Sequence, residues 1–346
     1  MIAIHASYFG DNFGDTLFVI QYVDYLKSIG YKEDEICLPF AGSRIRSYLN
    51  ISKIKHIKAI RKSDKVIFIG GGYFGERSTQ KAIWHVRFWI RHISVALLAI
   101  FFNKKYMFFG VGAGPLTNPI SRILSKVVIK SSEGFHARDI KSFNFLNSLG
   151  LQDKTSLVAD SLICYDKHKK PNEKKKRILL HLPLLEGWHG PIEGMLRSLY
   201  NKVGDSYEII VADDFYKPSF NKISYEIAKK IFQNVTLEEY SSPTSFLKLI
   251  NSSEIIFTVK LHVGILGLAS GSKVISTYVH EKSLRFYTQI GLSNVCFNFN
   301  NVSNQMDDFN QVVNDVVDNK IDFNLPSGIL EKSRLNFVLL KSFLDN

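Results

Sequence analysis

The chain has 346 residues, 45% hydrophobic, 22% charged and 13% aromatic, a globular composition that excludes a mostly disordered, collagen-like or coiled-coil protein. At roughly 150 residues per domain the length suggests two domains, each able to build a full core. Forty-four Lys+Arg against 32 Asp+Glu give a net charge of +12, which favours phosphorylated small molecules, nucleic acid or an anionic membrane surface as partners.

The first residues, Met1-Ile-Ala-Ile-His-Ala-Ser7, lack the basic and long apolar regions of a signal peptide. Ile2 to Ser7 reads as a strand and Thr16 to Ile29 as a helix stopped by Gly30. Between them lies Gly10-Asp-Asn-Phe-Gly14-Asp15-Thr16, where Asp15 or Thr16 can cap the helix. Its two glycines let the backbone turn tightly or approach an anion, although the spacing is not that of a dinucleotide fingerprint. Val66 to Ile69 is a buried strand running into Gly70-Gly71-Gly72, which suggests backbone held against a ligand or a neighbouring loop.

A helical stretch follows from about Thr79 to Phe102. Its cleanest apolar run, Ile93 to Phe102, is about half of what a spanning helix needs. Arg87, Arg91, Lys104 and Lys105 surround it, so it reads either as a helix packed on the sheet or as a basic amphipathic surface for peripheral membrane contact. Tyr106 to Val111 is the next strand, ending in Gly110-Val-Gly112-Ala-Gly114-Pro115. A helix near Pro119 to Ser132, a short strand at Phe135 to Ala137, a helix from Asp139 to Leu149 and a strand at Leu157 to Ala159 complete the first half. Arg138 then stands at a strand's carboxyl end, where its fork can grip a carboxylate or phosphate, or pair with an internal acid.

Residues 167 to 177 hold seven Lys/Arg together with Pro171 and Asn172, which reads as an exposed linker. The alternation then restarts, with strands at Arg177 to Leu182, Tyr207 to Ala212, Ile255 to Val259 and Lys273 to Thr277. Helices are expected at Pro191 to Lys202, Ile223 to Phe232, Ser245 to Asn251, Leu261 to Ala269 and Glu281 to Ile290, with two more near Asp307 to Asp318 and Leu330 to Leu344. Lys260 and His262 fall where the strand ending near Val259 meets a helix. A cation there can hold a phosphate or carboxylate, and an imidazole can move a proton near pH 7. Lys282 follows the next strand and would face either a ligand or solvent.

Strands alternating with helices in both halves predict an α/β protein with two Rossmann-like domains facing a cleft, GT-B-like. The expected division is 1–165, a basic linker over 166–176, 177–325 and a C-terminal helix over 326–346. Cys37, Cys164 and Cys296 lie far apart in or beside apolar runs, which predicts reduced buried thiols of a cytoplasmic protein. The histidines show no metal-ligand spacing, so no bound metal is expected. No recognition-helix, zinc or RNA-binding motif accompanies the charge, so no nucleic-acid partner is expected.

Taken in order, Gly10-Asp-Asn-Phe-Gly-Asp15, Gly70-Gly-Gly-Tyr73, Gly110-Val-Gly-Ala-Gly-Pro115, Ala137-Arg-Asp139, Ala159-Asp-Ser161, Lys260-Leu-His262 and Tyr278 to Lys282 resemble the polysaccharide pyruvyl transferase family. The resemblance implies transfer of the enolpyruvyl unit of phosphoenolpyruvate onto two sugar hydroxyls. The product is a cyclic pyruvate ketal on a surface glycan or its lipid-linked precursor, and no other cofactor takes part. It also implies catalytic roles for His262 and Arg138. Donor or acceptor contacts would come from Lys260, Lys282, Gly10, Asp11, Asn12, Asp15, Gly71, Gly72, Gly112 and Gly114. The family's Arg-Leu-His is Lys260-Leu-His262 here, a departure that keeps the charge and gives up the bidentate fork. The competing enzyme reading is a GT-B nucleotide-sugar glycosyltransferase, with Glu281 in a plausible place for a ribose.

Overall fold

The computed structural model describes residues 1–10, 12–76, 81–165, 173–182, 189–215, 222–279 and 281–346. The chain forms two compact units, Met1–Cys164 with Gly328–Asn346, and Tyr165–Ser327.

Unit 1 is built on six parallel strands, β1 (Ile2–His5), β2 (Ile36–Cys37), β3 (Lys65–Ile69), β4 (Lys105–Val111), β5 (Phe135–Ala137) and β6 (Thr155–Leu157), in the spatial order β2-β1-β3-β4-β5-β6. Strands such as Val66-Ile-Phe-Ile69 are apolar on both faces because helices cover both sides of a parallel sheet. The helices are α1 (Phe13–Ser28), α2 (Ser43–Leu49), α3 (His56–Lys62), α4 (Lys81–Phe88), α5 (Ser94–Phe101), α6 (Pro119–Lys130) and α7 (Ile140–Ser148). One π-helical turn, Trp89–Ile93, joins α4 to α5.

Unit 2 repeats the plan with β7 (Lys175–His181), β8 (Glu208–Ala212), β9 (Val235–Glu238), β10 (Ser253–Thr258), β11 (Lys273–Tyr278) and β12 (Cys296–Asn298). All are parallel and ordered β12-β11-β10-β7-β8-β9. Counted from its own first strand this is 3-2-1-4-5-6 read from the other edge, the Rossmann order, whose switch point lies between β7 and β10. Its helices are α8 (His189–Val203), α9 (Lys222–Ile231), α10 (Pro243–Ser252), α11 (Leu261–Ala269), α12 (Lys282–Gln289) and α13 (Met306–Val317). The last helix, α14 (Ser327–Asp345), returns to unit 1. There Tyr25 donates to the Phe337 carbonyl (3.0 Å) and Lys65 to that of Phe343 (2.8 Å).

Several expectations need correction. Helix α1 starts at Phe13, and Asn12 rather than Asp15 or Thr16 caps it, its Oδ1 accepting from the Asp15 N–H at 2.9 Å. The strand expected at Leu157 to Ala159 lies at Thr155–Leu157, because Ala159 instead bonds to α14. Residues 166–172 of the expected linker lie outside the described residues. Beyond them Lys174 donates to Ser272 (2.7 Å) and Ser270 (3.2 Å), and β7 begins at Lys175, two residues before the expected strand. Burial pushes the Lys174 amine down to about 8. Cys37, Cys164 and Cys296 are buried thiols, and burial raises those of Cys37 and Cys296.

Candidate functional site

In unit 1 the loops after β1 and β3 lie at the sheet's switch point, between β1 and β3. Gly10 closes a 3-10 turn, Tyr8–Gly10, and Asn12 and Asp15 bond to each other across the first turn of α1. Asp11 lies outside the described residues. The glycine triplet has three separate jobs. A Cβ on Gly70 would enter the Phe18 ring at 2.3 Å. Gly71 takes φ +84°, a left-handed conformation that favours glycine, and its carbonyl accepts from the Gly112 N–H at 2.8 Å. Gly72 is exposed, and a Cβ there would sit 3.1 Å from Arg138 Nη2.

Arg138 follows β5 and is only 7% exposed. Its Nη1 donates to Asp160 Oδ2 at 3.3 Å, and its Nε lies 3.7 Å from Asp139 Oδ2. A Cβ on Gly112 would come within 2.9 Å of Nε, so Gly112 and Gly72 carve the slot that holds the guanidinium. Asp139 caps α7 through the Ser142 N–H (2.8 Å), and the Ser142 hydroxyl accepts from the Ala113 N–H (2.9 Å), which ties the two loops together. Gly114, at φ +66°, lies against Phe145. Burial holds the Asp160 carboxyl above the usual carboxylate range, with Arg138 pulling the other way. Helix α14 fixes the Asp160 loop: Asn336 Nδ2 donates to the Ala159 carbonyl (2.9 Å) and Ser333 Oγ to the Asp160 carbonyl (2.7 Å).

In unit 2 a polar chain starts at the switch point. His181 ends β7 opposite Thr258 of β10, with Nδ1 and Oγ1 3.0 Å apart. His181 Nε2 lies 3.4 Å from Asp214 Oδ1, and Lys260 Nζ lies 4.0 Å from that same oxygen. Lys260 Nζ also sits 4.7 Å over the Phe215 ring, and the Lys260 side chain is 37% exposed. Thus a buried imidazole and carboxylate lead outward to a half-exposed ammonium. The Asp214 carboxyl is lowered: burial opposes its charge, but His181 and Lys260 outweigh burial. Asp213 accepts from the Asp214 N–H at 2.7 Å and is raised by burial. The donor atoms of His181, Asp213 and Asp214 lie within 4.8 Å of one another, so these are the described residues spaced to hold a divalent cation.

Lys260 is also the N-cap residue of α11, and His262, half-buried, is its second residue. The two lie in the first turn of a helix that packs closely on its neighbours. A Cβ on Gly264 would strike the Tyr287 hydroxyl, and one on Gly267 would meet Ile256 at 2.7 Å. The small residues of α11 therefore let it lie close to β10 and α12. Lys282, at the start of α12, is exposed, and Glu281 pairs with Arg285 at 3.7 Å.

A model of the polysaccharide pyruvyl transferase family matches residues 12–281. The chain belongs to the polysaccharide pyruvyl transferase family. Family membership makes it a transferase of polysaccharide biosynthesis. No curated protein matches the chain. Among solved structures it is similar to a UDP-GlcNAc 2-epimerase from Methanocaldococcus jannaschii, with TM-score 0.63, 13% identity and coverage of 98% of this chain and 99% of that one. The UDP-GlcNAc-bound 2-epimerase of Neisseria meningitidis gives TM-score 0.60 and 14% identity over 100% and 99% of the two chains. An S. aureus MnaA–UDP structure gives 0.60 and 14% over 99% and 96%. At these identities the likeness fixes the fold of this pyruvyl transferase family member, two Rossmann-like domains of GT-B type.

Arg138, Gly72 and Gly112 form one cluster in unit 1, and Lys260 and His262 share a turn in unit 2. Lys282 begins a different helix, α12. His181, Asp213 and Asp214 were not singled out from the sequence, and Asp160 appears there only within the motif Ala159-Asp-Ser161, without a role. Their signal was there: an apolar strand that ends in a polar residue, as in Leu179-Leu-His181 and Val211-Ala-Asp213-Asp214.

Proposed function

We propose that this protein transfers the enolpyruvyl unit of phosphoenolpyruvate to a pair of hydroxyls on a sugar of a surface glycan precursor, forming a pyruvate ketal and releasing phosphate. The observation that carries the reading is the pairing of Lys260 and His262 in the first turn of α11, beside the switch point of a Rossmann sheet, in a chain of this family. Phosphoenolpyruvate carries a carboxylate and a phosphate, which Lys260 and the first N–H groups of α11 suit.

The chemistry needs a proton delivered to the methylene carbon, making it a methyl group and leaving C2 electron-poor. One sugar hydroxyl adds to C2 and gives up its proton. The C2–O bond to phosphate breaks, the second hydroxyl closes the ketal, and its proton leaves. One of the two hydroxyl protons balances the new methyl group and the other leaves with phosphate. In this reading His262 moves these protons as acid and then base. Arg138 supplies the fixed cation of unit 1, and Gly72 and Gly112 keep the slot beside it open. The precursor of a surface glycan is assembled inside the cell, so this reading puts the enzyme in the cytoplasm.

Phosphate release from phosphoenolpyruvate, measured with pooled glycan acceptors, tests the proposal. Acceptor-dependent release supports it. No release, no thermal shift with phosphoenolpyruvate and a clear shift with a UDP-sugar would replace it with the glycosyltransferase reading.

A further inference from the structure

Helix α4, the π turn and α5 form one helical run, Lys81–Phe101, whose most apolar 18-residue window has a mean hydropathy of 1.2 and is only 39% buried. Its inner face is core, with His85, Phe88, His92, Ile93, Val95 and Ala96 buried. Its outer face should then be polar, as on an ordinary surface helix. Instead it exposes Ile83 (50%), Val86 (47%), Ile90 (63%), Leu97 (40%) and Phe101 (78%), which recur at helical spacing. Helix α6 touches the π turn and α5, with Trp89 Nε1 donating to Ser121 Oγ at 2.8 Å. It exposes Ile120, Ile123 and Val127 in a second stripe. With Ile100, nine of the sixteen large apolar side chains exposed among the described residues sit on these two neighbours. A concentration of that kind marks an interaction surface.

The charge on this face has one sign. Helix α3, which packs beside α5, the run 81–101 and α6 together contain nine Lys/Arg and no Asp/Glu. Lys58, Arg61 and Lys62 of α3 are exposed, as are Arg122, Lys126 and Lys130 in a stripe along α6. An isologous pairing of two copies would set this cationic face against itself. A spanning role is excluded, because the inner face of the run is packed into unit 1. An anionic lipid surface takes both features together: acyl chains receive the apolar stripe and headgroups meet the cations.

We propose that α4, α5 and α6, with the basic face of α3, form a monotopic docking surface for an anionic membrane. It requires nothing of the donor assignment. The test is flotation of the protein, without donor or acceptor, with phosphatidylglycerol-containing vesicles and with phosphatidylcholine vesicles. The protein should float with the anionic vesicles at low salt, about tenfold more than with the neutral ones. The exposed pair Ile90→Glu with Phe101→Glu should keep the fold, by circular dichroism and melting temperature, and lose binding about tenfold. Arg122→Glu with Lys126→Glu should lower binding to the anionic vesicles only. The proposal is overturned if the protein fails to float, or if both variants float as well as the parent. It is equally overturned if Ile90→Glu with Phe101→Glu merely splits a dimer in sedimentation with no vesicle binding beforehand.

Discussion

The two units share a sheet plan but finish their strand ends differently. In unit 1 the polar residues beyond the strands close on one another: Arg138 lies between Asp139 and Asp160, nearly all of it buried, and α14 pins the loop that carries Asp160. In unit 2 the chain from His181 through Asp214 ends on Lys260, which is 37% exposed, with the half-buried His262 in the same turn. His5 and His92 of unit 1 face each other at 2.9 Å in a buried aromatic nest, whereas His262 is half-buried. A polar group whose bonds are all internal sets geometry. A group left partly open can also meet a ligand. Under the proposed function, unit 1 would be the preorganised scaffold and unit 2 would move the protons.

The sharpest way to break this contrast is His262→Ala. It should lower acceptor-dependent phosphate release by roughly 10²–10⁴-fold, the usual worth of a general acid–base, with an unchanged melting temperature. Near-normal turnover would remove His262 from the chemistry. Next, Gly112→Ala should cut kcat/KM by about 10-fold or more, because its methyl group falls on Arg138 Nε. Stability should change by less than about 1.5 kcal/mol, since Gly112 keeps an ordinary φ and only the guanidinium must yield. An unchanged kcat/KM would mean that the placement of Arg138 does not matter to transfer.

Lys260→Arg should lower the KM for phosphoenolpyruvate a few-fold, on the order of 1 kcal/mol, by restoring the two-pronged donor, and leave kcat nearly unchanged. A raised KM would show that the ammonium is matched to its Asp214 and Phe215 surroundings. A last prediction concerns the pH dependence of unit 1. Burial pushes His5 down to about 3 and His92 well below its ordinary value. The unfolded chain therefore takes up protons near pH 6.5 that the folded one refuses. Stability should be full above pH 6.5 and fall as pH drops from there toward 3, by up to about 1.4 kcal/mol per pH unit for each histidine. Urea melts between pH 7 and 5 would measure it, and a flat profile would mean that the nest opens to water.

What was legible follows from how each element is stabilised. The inner strands, such as Ile255-Ile-Phe257, are apolar on both faces and announce themselves. The edge strands do not. Ile36–Cys37 has two residues, and Val235–Glu238 buries almost nothing, so neither carries a period of its own. Arg138, Lys260 and His262 were readable because each follows an apolar run. Their pairing with acids was not, because Asp160 reaches Arg138 over 22 residues and Asp214 reaches Lys260 from the loop after β8. The outer stripe of α4 and α5 could be read either as core or as surface for a related reason: apolarity in a sequence does not say which face is covered.

The return of α14 to unit 1 has a consequence for how the chain is made. The strand ends that hold Arg138 are synthesised in the first half, yet the Ser333 and Asn336 side chains that fix the Asp160 loop follow unit 2 in the chain. Unit 1 cannot finish its own site until unit 2 has been translated. A chain cut after Cys164 would leave the Ala159 and Asp160 carbonyls without the partners they have here. Unit 1 is assembled from two stretches of chain, Met1–Cys164 and Gly328–Asn346, whereas unit 2 is one continuous stretch.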